Sequence, residues 1–246
     1  MPAKKTIALV IPTLDEAENI NPLYEAVLAI VPKLADYTLK LIFVDDSAND
    51  ETKQSIESLQ ARNLQILYLE GPQQGFAKAV TEGLRFARAR ADVIVTLDAD
   101  GSHNPEYIPA MVALLEQKVD LVVGSRYTSG ASSQRKINQL LYSRSLNALL
   151  KHITRSTITD YSSGYKAMTS AALQKLDLEN NRTVGYVFQV EFMLTALQAK
   201  LHIQELPITF LDRVRGSSKF GHLATFEAIS KILTYYFRNA LKKLFL

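Results

Sequence analysis

The stretch Ile94-Val95-Thr96-Leu97-Asp98-Ala99-Asp100 decides the fold of this chain. A short apolar run that ends in two carboxylates one residue apart predicts a buried strand carrying acidic groups at its end. In an open α/β sheet, ligands bind outside the carboxyl ends of the strands. Two carboxylates so close together repel each other, and both stay ionised when a cation sits between them. A hard divalent ion such as Mg²⁺ or Mn²⁺, shared with a diphosphate, fits this pattern.

Strands and helices alternate along the chain on both sides of this stretch. The predicted strands are 6–11, 39–44, 64–69, 92–97 and 120–124, and the predicted helices are 16–31, 51–62, 76–90 and 105–117. This alternation is typical of βαβ units. We therefore predict an α/β fold with a Rossmann-like, mostly parallel sheet flanked by helices.

Beyond Arg126 this alternation stops. We predict a flexible loop at 129–133, a long helix at 136–154, a strand at 165–168, a helix at 188–200 and a strand at 203–210. Residues 223–246 carry apolar side chains at helical spacing with basic side chains opposite, which predicts a C-terminal amphipathic helix. The expected organisation is one domain at 1–222 followed by this helix at 223–246.

The composition excludes several classes of protein. The chain of 246 residues has no cysteine, which rules out disulfides, thiolate metal sites and a cysteine nucleophile. The N-terminus has no signal-peptide core, and no stretch approaches the roughly 18 apolar residues of a membrane span. We expect a cytoplasmic location from these features.

The net charge of +3 hides a strong asymmetry. Segment 126–159 contains six Lys or Arg and no acid, and segment 213–246 contains seven and a single acid, Glu227. Two basic tracts on an acidic body predict an anionic partner, and the amphipathic helices within them could lie on a membrane surface. The alternative is that these helices pack on the core and turn charged faces to water.

The ends of the first two strands narrow the choice of ligand. The first strand ends in Pro12-Thr13-Leu14-Asp15-Glu16 rather than in a G-x-G-x-x-G turn, so a nicotinamide or flavin cofactor is not expected. The second strand ends in Asp45-Asp46, which could accept hydrogen bonds from a ribose or a base. Capping of the following helix is the alternative for one of the two.

Eight sequence blocks, taken in order, resemble the inverting family 2 glycosyltransferases, which have the GT-A fold. The blocks are PTLDEAENI, FVDDSANDET, QQGFAKAVTEGL, VTLDADGSHNPEYIP, VVGSRY, DYSSGYKAM, GYVFQVEF and ELPITFLDRVRGSSK. Within the family the chain is most similar to the dolichyl- or polyprenyl-phosphate mannosyltransferases. The resemblance covers about residues 6–219, with residues 1–222 as the catalytic domain.

The resemblance implies roles for individual residues. Donor binding falls to Pro12, Leu14, Glu16, Val44, Asp46, Asp98, Ala99, Asp100, Arg126, Arg213 and Lys219. The metal ligands would be Asp98, Asp100 and Ser102, and Arg126 would join the two aspartates as a catalytic residue. Arg135 and Arg144 lie where the family is thought to receive the phosphate of the lipid acceptor.

Three departures from the family pattern bear on the donor. Leu14 stands where an aromatic residue is usual, the second block lacks its two glycines, and Gly101 replaces a leucine after D-A-D. GDP-mannose is the favoured donor, and a UDP-hexose is the alternative.

The implied reaction is chemically coherent. Glycosyl transfer has an oxocarbenium-like transition state and a diphosphate leaving group, whose charge a metal and fixed cations neutralise. A lipid monophosphate, with a second pKa near 6, is already ionised at neutral pH and attacks without a general base. His103, beside the two aspartates, is therefore given a structural role rather than that of a base.

The implied partners are a nucleotide-diphosphate sugar, a polyprenyl or dolichyl phosphate and the cytoplasmic face of a membrane. A membrane-anchoring subunit is possible, and no nucleic acid is expected. Two other functions remain open at this point. One is a D-x-D phosphohydrolase, and the other is a non-catalytic module that binds nucleotide sugars.

Overall fold

The computed structural model describes residues 4–62, 64–134, 137–178, 185 and 187–211, without the side chains of residues 137–139 and 142. The strands are β1 (Lys5–Thr13), β2 (Tyr37–Asp45), β3 (Gln65–Glu70), β4 (Val93–Thr96), β5 (Leu121–Ser125), β6 (Ser132–Ser133), β7 (Lys166–Thr169), β8 (Ile203–Pro207) and β9 (Thr209–Phe210). The α-helices are α1 (Ala17–Ile30), α2 (Glu51–Glu57), α3 (Phe76–Arg88), α4 (Ile108–Glu116), α5 (Ile137–Thr154), α6 (Ser170–Gln174) and α7 (Val187–Gln198). Short 3₁₀ helices lie at Val31–Leu34 and Pro105–Tyr107.

Seven strands form one sheet in the order β3-β2-β1-β4-β7-β5-β8. Every neighbouring pair is parallel except that β7 runs antiparallel to both β4 and β5. The mostly parallel sheet predicted from the sequence is therefore confirmed. Because β1, β2 and β4 are parallel neighbours, their carboxyl ends share one edge, and the two aspartates follow β4 at that edge.

The sheet separates two apolar layers. Along β1, Ile7, Leu9 and Ile11 belong to the layer that also contains α1 and α4. Ala8 and Val10 face the opposite layer, which contains α3 and α7. Gly83 allows α3 to approach β1 closely, since a Cβ there would lie 2.4 Å from Cγ1 of Val10. The alternation of side chains along a strand explains why β1 is apolar on both faces.

Several predicted boundaries change. The loop predicted at 129–133 ends in a strand, because β6 pairs in parallel with β9 in a separate two-stranded sheet. The single strand predicted at 203–210 is divided at Ile208, whose N–H donates to the carbonyl of Ser125. Helix α2 ends at Glu57, five residues before the predicted end, and α6 was not predicted.

Helix α5 matches its prediction closely, with one side chain misplaced. Leu146, Leu150 and Ile153 pack in the core as its periodicity predicts. The same helical spacing predicts Leu149 on this face, but Leu149 is 50% exposed. Within the ranges that the structure describes, no helix has both the length and the apolarity needed to cross a bilayer. The amphipathic helix predicted at 223–246, and with it the domain boundary at 222, lies outside these ranges.

Candidate functional site

Asp98 and Asp100, called here the acidic pair, follow β4 at the carboxyl edge of the sheet. The Asp98 side chain is 22% exposed, while Asp100 is buried. An Oδ1 atom of Asp100 accepts the N–H of Ser102 at 3.0 Å, which closes a tight turn. Gly101 within that turn has φ +79°, a left-handed conformation that glycine adopts without steric cost. This backbone explains why a glycine follows the D-A-D sequence here.

His103 holds this turn in place through a hydrogen bond to its backbone. Its Nδ1 accepts the N–H of Asp98 at 2.9 Å, so the ring proton of this tautomer lies on Nε2. The ring is buried, stacks on Tyr165 with centroids 5.0 Å apart, and meets the edge of Phe210 at 5.7 Å. A ring fixed on three sides positions the backbone of Asp98, in agreement with the structural role preferred for His103.

Ser102 provides a test of whether the turn suits a metal ion. Its Oγ is fully buried and has no hydrogen-bond partner among the described residues. Two carboxylates and an unsatisfied hydroxyl are hard oxygen donors, the type that Mg²⁺ and Mn²⁺ prefer. The described ranges contain no group of three His, Cys, Asp or Glu side chains that could hold an ion. The donor set therefore fits a divalent ion whose coordination is completed by other oxygens, such as those of a diphosphate.

The pair at the end of β2 fixes two loops. Oδ1 of Asp45 accepts hydrogen bonds from the hydroxyls of Thr13 at 3.0 Å and Ser47 at 2.6 Å. The carboxylate of Asp46 accepts the N–H groups of Gln73 at 3.0 Å and Gly75 at 2.8 Å. Neither aspartate caps α2, whose N-cap residue makes no side-chain capping bond. Asp46 thus holds the loop after β3 against the carboxyl edge, and its remaining lone pairs are those left for a ligand.

The other residues predicted to bind the donor also gather at this edge. Pro12 of β1 pairs with Val44 of β2. Leu14 follows β1 and is 38% exposed, which leaves an apolar surface beside the edge. Glu16 precedes α1 and accepts a hydrogen bond from the side chain of Asn19. Ala99 is buried between the two aspartates of the acidic pair.

Arg126 follows β5 in a buried, two-pronged ion pair with Asp160. Its Nε and Nη2 each lie 2.8 Å from one carboxylate oxygen, and Nη2 also donates to Oγ of Ser162 at 2.7 Å. Burial alone would lower the pKa of Arg126, but the charge and hydrogen bonds of Asp160 outweigh it and raise that pKa. The same contacts hold the pKa of Asp160 below its usual value despite burial. These contacts occupy Nε and Nη2 of the guanidinium and do not involve Nη1.

Glu205 of β8, which sequence reasoning did not single out, fixes the segment that carries Asp160. Its carboxylate accepts the N–H of Thr159 at 3.0 Å, the hydroxyl of Thr159 at 2.9 Å and the N–H of Asp160 at 2.8 Å. Asp160 itself is completely buried. The guanidinium of Arg126 is therefore held in one orientation by a chain of contacts that reaches the neighbouring strand. The only signal for Glu205 in the sequence is that it is the acidic residue at the start of the block ELPITFLDRVRGSSK.

Lys166 is the second residue that sequence reasoning missed. It begins β7, is 1% exposed, and donates to the carbonyl of Ser163 and, at 2.6 Å, to Oε1 of Gln189. Burial lowers the pKa of Lys166 to about 7, with Arg126 lowering it further and the charges of Asp160 and Asp98 opposing this. Among the residues that the structure describes, Lys166 has no ion-pair partner, and it lies in the electrostatic field of Asp98.

The substitution Lys166→Met should flatten the pH dependence of stability. Unfolded Lys166 keeps its proton up to a pKa of about 10.4, whereas in the folded protein it loses the proton near pH 7. Between these values the unfolded state binds more protons, so the free energy of unfolding rises with pH by at most about 1.4 kcal/mol per pH unit. Urea titrations of both proteins at pH 7, 8 and 9 measure the difference. Equal slopes would contradict the lowered pKa.

Arg144, predicted to receive the acceptor phosphate, and Arg126 both lie near the ring of Tyr127. The two guanidinium groups lie 5.9 Å and 5.2 Å from the ring centroid of Tyr127. The hydroxyl of Tyr127 donates to Oγ of Ser143 at 2.7 Å, which ties the ring to α5. The structure therefore brings Arg144 next to the β5 end of the site. The predicted residues Arg135, Arg213 and Lys219 lie outside the described residues.

Two curated proteins of similar sequence match nearly the whole chain. Polyprenol monophosphomannose synthase of Mycolicibacterium smegmatis is 28% identical over 246 residues, which cover 98% of this chain and 91% of that protein. Undecaprenyl-phosphate mannosyltransferase of Micrococcus luteus is 29% identical over 236 residues, which cover 92% of each.

Solved structures confirm the GT-A fold. Glucosyl-3-phosphoglycerate synthase from Mycobacterium tuberculosis, in complex with Mn²⁺, UDP and phosphoglyceric acid, matches with a TM-score of 0.67 at 19% identity over 94% of this chain and 78% of that chain. Its complex with Mg²⁺ and UDP matches with a TM-score of 0.66, also at 19% identity, over 94% of this chain and 79% of that chain. The family model described as glycosyl transferase family 2 matches residues 8–177, more than half of the chain. The resemblance seen in the eight sequence blocks is thereby confirmed, and the chain belongs to glycosyl transferase family 2.

Proposed function

We propose that the protein is an inverting, metal-dependent glycosyltransferase that moves mannose from GDP-mannose to a polyprenyl phosphate. The observation that carries the proposal is the turn after β4, where Asp98, Asp100 and the unsatisfied Ser102 hydroxyl present hard oxygen donors at the ligand-binding edge of the sheet. Both curated relatives are named for mannose transfer to a polyprenyl carrier. A UDP-hexose is the alternative donor, since neighbours of the same fold are in complex with UDP.

The acidic pair and Ser102 are the residues that would hold Mg²⁺ or Mn²⁺, and the related structures contain one or the other ion. Such an ion supplies positive charge to the diphosphate as it leaves the sugar. The edge formed by Pro12, Leu14 and Val44 receives the nucleoside, with Glu16 and Asp46 as polar contacts. His103 keeps the backbone of Asp98 in place, so the site is organised before the donor binds.

Arg126 adds a fixed cation on the far side of β7. Its orientation is set by Asp160 and, through the 159–160 backbone, by Glu205. A charge held in this way needs no reorganisation as negative charge develops on the leaving group. Arg213 and Lys219 are proposed to complete the phosphate contacts.

The acceptor phosphate is proposed to enter along α5. Arg144 and Arg126 flank Tyr127, and Arg135 precedes the same helix. Two or three cations there would draw the lipid phosphate toward the sugar and orient one of its oxygens at the anomeric carbon. Because this phosphate is ionised near neutral pH, its oxygen can form the new bond without surrendering a proton.

The exposed face of α5 suits a membrane surface. Spaced along one side of the helix are the exposed residues Leu141, Arg144, Lys151 and His152, and Leu141 is 59% exposed. Basic side chains with apolar residues among them are typical of helices that lie on anionic bilayers. We propose that this face and a helix at 223–246 hold the catalytic domain, residues 1–222, on the cytoplasmic side of a membrane, alone or with a membrane subunit.

A transfer assay tests the proposed function. Purified protein with Mn²⁺ is given labelled GDP-mannose or UDP-glucose and polyprenyl phosphate in vesicles, either anionic or neutral. Labelled lipid is expected with GDP-mannose, faster on anionic vesicles and lost with EDTA. Product from UDP-glucose alone would move the donor to the alternative. Folded protein that labels no lipid with either donor would overturn the proposal.

A further inference from the structure

Gln189 is a buried amide whose orientation is fixed by a lysine. It lies in the first turn of α7 and is 2% exposed. Its Oε1 accepts the ammonium of Lys166 at 2.6 Å. Because Oε1 is the amide atom that meets Nζ of Lys166, the NH₂ group of Gln189 is turned away from the lysine.

The NH₂ group of Gln189 points toward the acidic pair. A Cβ placed on Gly164 would lie 3.4 Å from Nε2 of Gln189, 3.4 Å from Cε1 of His103 and 3.6 Å from Oδ1 of Asp98. Gly164 is itself fixed, since its carbonyl accepts the hydroxyl of Thr96, the last residue of β4, at 2.7 Å. Among the described residues, the side chain of Gln189 makes its hydrogen bond through Oε1 and not through Nε2. A donor group thus lies near the partly exposed Asp98, where Gly164 has no side chain.

We propose that Gln189 recognises the transferred sugar, with its NH₂ group donating to a hydroxyl of the hexose next to Asp98. This inference rests on the proposed function, because it needs a nucleotide sugar whose diphosphate is bound at the acidic pair. Lys166 is a positioning residue that keeps the amide in the productive orientation. Gly164 leaves the room that the hydroxyl requires.

The arrangement gives selectivity for one hexose over its epimers. A hydroxyl in the matching configuration pairs with the amide, whereas an epimer leaves a buried donor unsatisfied. A charged donor in the same place would compete for the diphosphate as well. A neutral amide reads the sugar and contributes little to binding of the nucleotide.

Calorimetry in the presence of Mn²⁺ separates binding of the sugar from binding of the nucleotide. The probes are GDP and GDP-mannose, and UDP and UDP-glucose form a second pair. Gln189→Met keeps the volume and should weaken GDP-mannose about tenfold while GDP binding stays unchanged. Gln198→Met, the same substitution at the exposed end of α7, is the matched control and should change neither affinity. Unchanged GDP binding also shows that each variant is folded.

Two further variants test the assigned geometry. Gly164→Ala adds one methyl group at ordinary contact distances and without a positive φ, so the protein should fold and bind GDP yet lose GDP-mannose at least tenfold. Lys166→Met should give the same selective loss as Gln189→Met, and the double variant should lose no more than either.

Equal losses of GDP and GDP-mannose in Gln189→Met, or no loss of either, would overturn the role of Gln189. Additive losses in the double variant would remove Lys166 from it. If the wild-type protein binds neither donor pair, the proposed function fails first. If it binds GDP-mannose with full affinity in all three variants, only the inference about Gln189 fails.

Discussion

Asp100→Asn is expected to reduce lipid mannosylation by at least 10²- to 10³-fold, the effect of losing one preorganised electrostatic contact worth about 3–4 kcal/mol. The asparagine keeps an oxygen for the N–H of Ser102, so the turn after β4 survives. What it loses is the negative charge that a divalent ion requires beside Asp98. Steady-state kcat and calorimetric titration of GDP in the presence of Mn²⁺ measure the two consequences.

The charge rather than the shape of residue 100 is what this substitution tests. Asp36→Asn is the matched control, because Asp36 is exposed and lies between the 3₁₀ helix Val31–Leu34 and β2. This substitution should leave kcat unchanged. GDP binding by Asp100→Asn should lose its dependence on Mn²⁺. A variant that keeps more than a tenth of the wild-type rate would show that the ion is not held by Asp100.

Local patterning was sufficient for most of the sheet. The strands β1 to β5 are apolar runs bounded by polar turns, and their helices begin and end near the predicted residues. Parallel pairing followed from alternation with helices, since each crossover returns the chain to the same edge. Strand β7 could not be placed in this way. Four residues carry no signal for an antiparallel position between β4 and β5, which depends on contacts made after the chain has passed through α5.

The residues of the site also divide into those that the local sequence predicts and those that it does not. The acidic pair could be predicted because both carboxylates come from one short stretch at a strand end. Lys166 could not, because a lysine in a strand is ordinarily exposed, and its burial depends on Ser163 and Gln189. The basic tract at 126–159 stops one residue before Asp160, so charge patterning counted Arg126 among the cations facing an anionic partner and missed its buried pair with Asp160.

Asp160→Asn should therefore be the most destabilising of these substitutions, lowering the free energy of unfolding by about 3–5 kcal/mol. The carboxylate is completely buried and pairs with both Nε and Nη2 of Arg126, whose side chain is only 4% exposed. An asparagine offers one oxygen in place of two and no charge, which leaves a guanidinium buried without compensation. Urea denaturation followed by circular dichroism measures the loss. Glu25→Gln, which breaks the exposed pair with Arg62, should cost no more than about 0.5 kcal/mol.

Replacing the whole pair separates its part in stability from its part in function. Arg126→Met combined with Asp160→Leu removes both charges and fills the space with apolar atoms, so much of the stability lost in Asp160→Asn should return. Mannosyl transfer should stay depressed, because the fixed cation between the acidic pair and α5 is gone. A double variant that regains both stability and turnover would make Arg126 a structural residue alone. Recovery of neither would mean that the 159–160 segment, held by Glu205, needs the ion pair in order to fold.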